Sequence, residues 1–188
     1  MTDSEGCVSR RAILRTLAAT LVVAAPTYSK AAGFLRNAGD IRKLGMYNGR
    51  TGESLNVIYW VDGQYIPEAL REVNVFMRDW RENKARSMDT RTLDIMVAAH
   101  RAMDTTEPYL LLSAYRTPQT NAMLRSNSAG VASNSYHIRG QACDLRLKSR
   151  SVNQMASAAQ SFKAGGVGRY YGSNFVHMDS GPLRDWRG

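Results

Sequence analysis

Hydrophobic and polar positions change period several times along this chain, and each change marks an element. Residues Lys43 to Asn48 alternate and predict a strand. Asn48-Gly49-Arg50-Thr51-Gly52 is a turn signal. The run Leu55-Asn56-Val57-Ile58-Tyr59-Trp60-Val61 is β-branched and aromatic, which completes a hairpin. Asp62-Gly63 marks another turn. From Pro67 the period lengthens. A proline costs nothing in the first helical turn, where its missing N–H has no partner anyway. Leu70, Val73, Phe76, Met77 and Trp80 then form one apolar face, predicting a helix over 67–81. A second helix is predicted from Thr90 to about Met103, with Leu93, Met96, Val97, Ala98 and Ala99 turned inward. His100 falls in its last turn and reads as structural, since a late cation suits the helix dipole.

The second half is more broken. Pro108 to Ala114 is a continuous apolar run, short enough for a buried strand. Thr117-Pro118 starts a short helix through about Arg125. Residues 126–139 are rich in Gly, Ser and Asn and predict a long loop, a feature that is usually functional in a compact domain. Gln141 to Leu147 alternates as a strand, and Ser151 to Phe162 reads as a capped helix. Gly165-Gly166-Val167-Gly168 leads into a strand, and Phe175 to Asp179 forms the last one. Helices and short strands mix without regular βαβ alternation. The class is therefore α+β, a small mixed or antiparallel sheet with flanking helices in a single domain, residues 33–188.

The first 32 residues do not belong to that domain. Thr16 to Ala25 is an apolar run of ten, about half of what a membrane-spanning helix needs. Arg10, Arg11 and Arg15 precede it, and Pro26 and the small residues Ser29, Ala31 and Ala32 follow. This is the layout of a secretory signal peptide. Ser9-Arg10-Arg11-Ala12-Ile13-Leu14-Arg15 resembles the bacterial twin-arginine export signal, which implies a periplasmic destination and no stable membrane insertion after cleavage. The 188 residues carry a net charge of +9. Loss of residues 1–32 takes four basic and two acidic residues with it and leaves +7. That charge calls for a polyanionic neighbour, and export argues against nucleic acid. Of two cysteines, only Cys143 remains, which reads as a buried small hydrophobe rather than a redox centre.

Chemistry concentrates in two segments, Ser135-Tyr136-His137-Ile138-Arg139-Gly140-Gln141-Ala142-Cys143-Asp144 and Phe175-Val176-His177-Met178-Asp179. Cys143 and Leu145 point to the core, so Asp144 points the other way, toward what His137 faces. His177 and Asp179, two apart on a strand, also share a face. Two imidazoles and one or two carboxylates on one sheet face suit a single Zn²⁺ with three protein ligands and a fourth position for water. With His137, Asp144 and His177 as ligands, zinc turns that water into a nucleophile near neutral pH. Asp179 is left to move the water's proton, or to orient a ligand histidine from behind.

Ser135-x-His137-x-x-Gly140-x-Ala142-x-Asp144 resembles the signature of the zinc D-alanyl-D-alanine carboxypeptidase superfamily, which includes the hedgehog fold. Ser113-Ala114-Tyr115-Arg116 is similar to its Ser-Gly-Tyr-Arg element. Ala164 to Gly168 and Ser173 to Pro182 narrow the resemblance to the bacterial subgroup that contains murein endopeptidase K, over about Leu44 to Trp186. The resemblance implies a zinc site of His137, Asp144 and His177, with Arg116 beside it to hold a substrate carboxylate or an oxyanion, or to clamp strand end to loop. It implies crosslinked peptidoglycan stem peptides as substrate. Many members carry an acidic residue a few positions before the last zinc histidine; here Ser173, Asn174, Phe175 and Val176 hold no carboxylate. Endopeptidase, carboxypeptidase and a non-catalytic wall-binding module with a structural zinc are the readings that follow. Oligomeric state and the crosslink attacked are open.

Overall fold

The hairpin expected from the first two strands forms as β1 (Ile41–Tyr47) and β2 (Ser54–Val61), antiparallel from Ile41↔Val61 to Tyr47↔Ser54. The computed structural model describes residues 38–128 and 130–188, so the expected export signal and its cleavage point lie outside the described residues. After β2, Asp62 and Gly63 both take positive φ, 46° and 88°. That is the two-residue turn whose twist matches a hairpin, and it adds a short β3 (Gln64–Tyr65), which pairs Trp60↔Tyr65.

Helix α1 runs Pro67–Phe76 and stops five residues before its expected end at Arg81. Its apolar face is kept, with Val73, Phe76 and Met77 buried. What ends it is long-range. Asp79 is drawn 38 residues away to Thr117, whose N and Oγ1 donate to Asp79 Oδ2 at 2.8 and 3.0 Å. Trp80 leaves the helix face and is half exposed. Helix α2 (Thr90–Ala102) starts where Asp89 accepts from Arg91 N at 2.9 Å. His100 closes the following turn, with Nε2 donating to Glu107 O at 2.7 Å and its ring edge-on to Tyr109.

Strand β4 (Tyr109–Ser113), helix α3 (Pro118–Asn127) and strand β5 (Ala142–Arg146) follow as expected. The polar loop between α3 and β5 ends in a 3-10 turn, Tyr136–Arg139, capped by Ser135. Helix α4 (Val152–Ser161) begins with a capping box between Ser151 and Gln154. Strands β6 (Gly166–Tyr170), β7 (Phe175–Asp179) and a further edge strand β8 (Arg184–Arg187) complete one mixed sheet, in the order β3-β2-β1-β4-β5-β7-β6-β8. The β1·β4 and β6·β8 pairs are parallel and the others antiparallel. The α+β class holds, with eight strands among the described residues rather than six.

Helices α2 and α4 pack together and against β6 and β7. The core between them holds Leu93, Met96, Met155, Cys143, Leu145, Val176 and Met178. Cys143 is fully buried, and burial pushes its thiol well above the ordinary range. One charge cluster sits inside. Arg42 and Asp94 are 3% and 1% exposed and pair at 2.7 Å, while Tyr59 and Tyr65 donate to Asp94 at 3.0 and 2.7 Å. Removing one partner strands the other charge. Asp94→Ala is expected to cost about 3–5 kcal/mol, read from the urea midpoint, with Asp94→Asn costing less because its amide oxygen still accepts from one of the two tyrosines.

Candidate metal centre

The sheet register explains how residues distant in sequence meet. Ser113 on β4 lies opposite Asp144 on β5, Asp144 opposite His177 on β7, His177 opposite Gly168 on β6, and Gly168 opposite Trp186 on β8. They form one rung across five strands. The next rung on the same face, two residues along, runs Ala142, Asp179, Gly166, Arg184. Cys143 and Met178, between the rungs, point to the helices. His137 joins from the 3-10 turn above β5.

Three acceptor atoms face one another on the first rung. His137 Nε2 lies 3.2 Å from His177 Nδ1 and 3.2 Å from Asp144 Oδ1, and His177 Nδ1 lies 2.9 Å from Asp144 Oδ1. The opposite ring nitrogens fix both tautomers. His137 Nδ1 donates to Ala114 O at 2.6 Å, and His177 Nε2 donates to Asp179 Oδ2 at 2.8 Å. The inner nitrogens of the neutral rings therefore present lone pairs. Three lone-pair atoms in a buried triangle repel one another unless a cation sits between them. Tetrahedral zinc with bonds of about 2.0–2.1 Å has ligand–ligand edges of roughly 3.3 Å, close to what these atoms show. The donor set fits zinc, and His137, Asp144 and His177 are the group of possible ligands found among the described residues.

Burial and neighbouring charge act differently on the three groups. Burial pushes His137 below the ordinary histidine range. Burial also opposes charge on His177, but the flanking carboxylates of Asp144 and Asp179 outweigh this and hold its pKa above the usual value. Burial would raise Asp144, yet His137, His177 and Arg116 hold its carboxyl well below the carboxylate range. Arg116 comes from the end of β4. Its Nε donates to Ser113 Oγ at 2.7 Å and its Nη2 to Asp144 Oδ2.

Asp179 is fully buried on the second rung, behind His177. Besides His177, it accepts from Arg184 Nη1 and Nη2 at 3.0 and 2.6 Å, Gly166 N at 3.2 Å and Gly181 N at 2.8 Å. Against the cost of burial, His177 and Arg184 hold its pKa at about 2. Arg184 and Trp186, on the same face of β8, were not singled out from sequence. The Arg184 guanidinium lies 4.7 Å from the Tyr136 ring centre and 5.0 Å from that of Trp186, and Trp186 tilts against His177 at 5.2 Å. The signal for them was the glycine run. A Cβ on Gly166 would run into Arg184 and Asp179, and one on Gly168 would stand 2.6 Å from the Trp186 ring.

The triangle opens onto a cleft of about 540 Å³, lined by Arg116, Tyr136, Phe175, Arg184 and Trp186 among others, with Asp144 its one carboxylate among the described lining residues. A three-ligand site with an open side is the form that catalytic mononuclear metal centres take. The family model described as peptidoglycan L,D-endopeptidase MepK matches residues 36–186, and the chain belongs to this peptidase family. Peptidoglycan L,D-endopeptidase MepK of Escherichia coli (strain K12) is 42% identical over 145 residues, which cover 77% of this chain and 80% of that protein. The probable peptidoglycan L,D-endopeptidase MepK of Haemophilus influenzae is 36% identical over 148 residues, 78% of this chain and 80% of that one. The likeness seen in the motifs thus extends through the whole sheet. No described helix is long and apolar enough to cross a membrane.

Proposed function

We propose that this protein is an exported zinc peptidase that hydrolyses amide bonds in peptidoglycan peptide crosslinks, of the L,D type named for its relatives. The observation that carries the reading is the triangle of lone-pair donors open to a cleft with cationic and aromatic walls. Zinc held by His137 Nε2, His177 Nδ1 and Asp144 would supply Lewis acidity toward a water and a scissile carbonyl. The rest falls to the chain's own groups. Ala114 O and Asp179 keep both imidazoles in the ligating tautomer. Arg116 lines the cleft, and its Nη1 makes no hydrogen bond to a described residue. That nitrogen is free to hold the carbonyl oxygen as it gains charge. Residues 1–32 act as the export signal in this reading, and the +7 remaining chain is drawn to the anionic wall.

Of the two roles open to Asp179, we assign the positioning one, because five hydrogen bonds occupy its oxygens and the His177 ring stands between it and the cleft. Asp179→Asn keeps an acceptor but loses the charge. It is expected to weaken zinc binding about 10–100-fold, with kcat returning toward wild type at saturating zinc. A kcat that stays low in the fully loaded variant would instead make Asp179 the proton carrier.

The function is tested by incubating the zinc-loaded protein, residues 33–188, with crosslinked muropeptides and following products by mass spectrometry. Dimers lost with monomers gained is the expected result, and product masses give the bond. Release of single D-alanines would make it a carboxypeptidase. No turnover with one zinc bound would make it a wall-binding module.

A further inference from the structure

Past the Arg116 end of the cleft lies a group of cations that the metal site does not use. Residues 77–84 form a tight loop, the first five of them where a helix was expected, closed by Asp79 N donating to Lys84 O at 2.9 Å and Lys84 N to Asp79 O at 3.2 Å. The loop is tied to the Arg116 segment on both sides of that residue. Tyr115 N donates to Met77 O at 3.1 Å, and Thr117 donates twice to Asp79. Asp79 also accepts from Arg81 N at 3.1 Å. Trp80 and Arg81 are therefore held at the surface in a set relation to Arg116. The turn between β1 and β2 brings Arg50 to the same spot. The guanidinium carbons of Arg81 and Arg50 lie 4.3 and 5.3 Å from the Trp80 ring centre.

The carboxylates nearby are already engaged. Glu53 pairs with Arg78, Glu82 with Lys84, and Asp79 is buried under its own hydrogen bonds. Neither Arg50 nor Arg81 makes an ion pair or a side-chain hydrogen bond with a described residue. Burial lowers the Arg81 pKa, and Arg50 and Arg116 lower it further against the opposing pull of Asp79. Arg81 thus feels both other guanidiniums, and the carboxylate that offsets them, Asp79, is buried and turned to Thr117 and its own loop. Like charges held together in this way favour any carboxylate that enters, and a guanidinium fork can take one bidentately.

We infer that Arg50, Trp80 and Arg81 form an anion-binding extension of the cleft that takes a carboxylate-bearing arm of the peptide substrate on the Arg116 side of the scissile bond. This rests on the peptidase reading above. A crosslink cut in its middle has peptide on both sides of the metal, and the Arg184–Trp186 wall lines one side only.

The test compares three double variants of the zinc-loaded protein on a soluble crosslinked muropeptide dimer. Arg50→Gln/Arg81→Gln is expected to raise KM roughly fivefold to tenfold, the size of two exposed charge contacts, with kcat unchanged. Arg50→Lys/Arg81→Lys should recover part of the loss. Lys148→Gln/Lys163→Gln removes the same charge from exposed residues outside both the cleft and the Arg50–Trp80–Arg81 group, and should move KM less than about twofold. A dimer with amidated carboxylates should bind wild type no better than the glutamine variant binds the free acid. Equal KM rises in both charge-removing variants, an unchanged KM, or a fall confined to kcat would overturn the inference. Calorimetry with the monomeric product, which is not turned over, separates it from the peptidase reading. Arginine-dependent product binding in a protein without turnover would sustain the anion site and remove the peptidase. Turnover with arginine-independent binding would do the reverse.

Discussion

His177→Ala and Asp144→Ala should each release the bound zinc and lower crosslink hydrolysis by at least ~10³-fold, as read by metal content after dialysis and by muropeptide turnover. The expectation follows from how the triangle is built. Each of its corners is one atom, 2.9–3.2 Å from the other two, and each is aimed by a partner outside the triangle. Loss of an outer partner costs affinity by one or two powers of ten, so loss of a corner costs more. Asp144 carries the heavier load, being the one charged corner and the counter-ion of Arg116. Without it, two imidazoles and a guanidinium face the same gap. Asp144→Asn is the sharper variant, since it keeps shape and one acceptor oxygen while removing charge. Its zinc affinity should fall between those of Asp144→Ala and wild type. Full turnover in zinc-free His177→Ala protein would sink the metal assignment.

How far the site could be read from sequence depends on what the reading needs. That Asp144, His177 and Asp179 share a face requires only the period of two along β5 and β7, and this was legible. That Asp144 and His177 stand directly opposite requires the register, which the alternation does not contain. The same limit hid Arg184 and Trp186. They sit on a four-residue edge strand, too short to show a period, and their importance lies in which rungs they join. Ala142, Gly166 and Gly168 were visible as small residues in a motif. Only the rungs explain their size, since Gly166 and Gly168 make room for Arg184, Asp179 and Trp186. The end of α1 was missed for a related reason. Residues 77–81 continue the apolar period, and what breaks the helix is a carboxylate held by Thr117, 38 positions away. By contrast the N-terminal caps Asp89, Thr117 and Ser151 act within three residues, and the helices they start appear where expected. The Asp62-Gly63 pair was read as a turn, and both its positive φ values fit a hairpin too short to announce a second strand.

Arg116→Ala should lower kcat by about 10²–10³-fold while the protein keeps its zinc, a pattern opposite to that of the ligand variants. The side chain is anchored at two points, Nε on Ser113 Oγ and Nη2 on Asp144 Oδ2, which leaves Nη1 as a donor already oriented before substrate arrives. A donor placed in advance stabilises charge that develops on a carbonyl oxygen more than it stabilises the neutral carbonyl, so its loss falls on kcat. Removing the guanidinium also takes a cation away from Asp144, whose carboxylate then faces the metal with less competition. Zinc retention should therefore be equal or greater. Arg116→Lys restores charge but not the fork: an ammonium cannot span Ser113, Asp144 and a substrate oxygen in one fixed plane. It should recover less than about tenfold of the loss. If Arg116 instead grips a carboxylate that is charged from the outset, binding weakens equally before and during reaction. KM then rises and kcat stays. The split between kcat and KM in Arg116→Ala thus decides whether this guanidinium acts on the reacting carbonyl or on a part of the substrate that does not change.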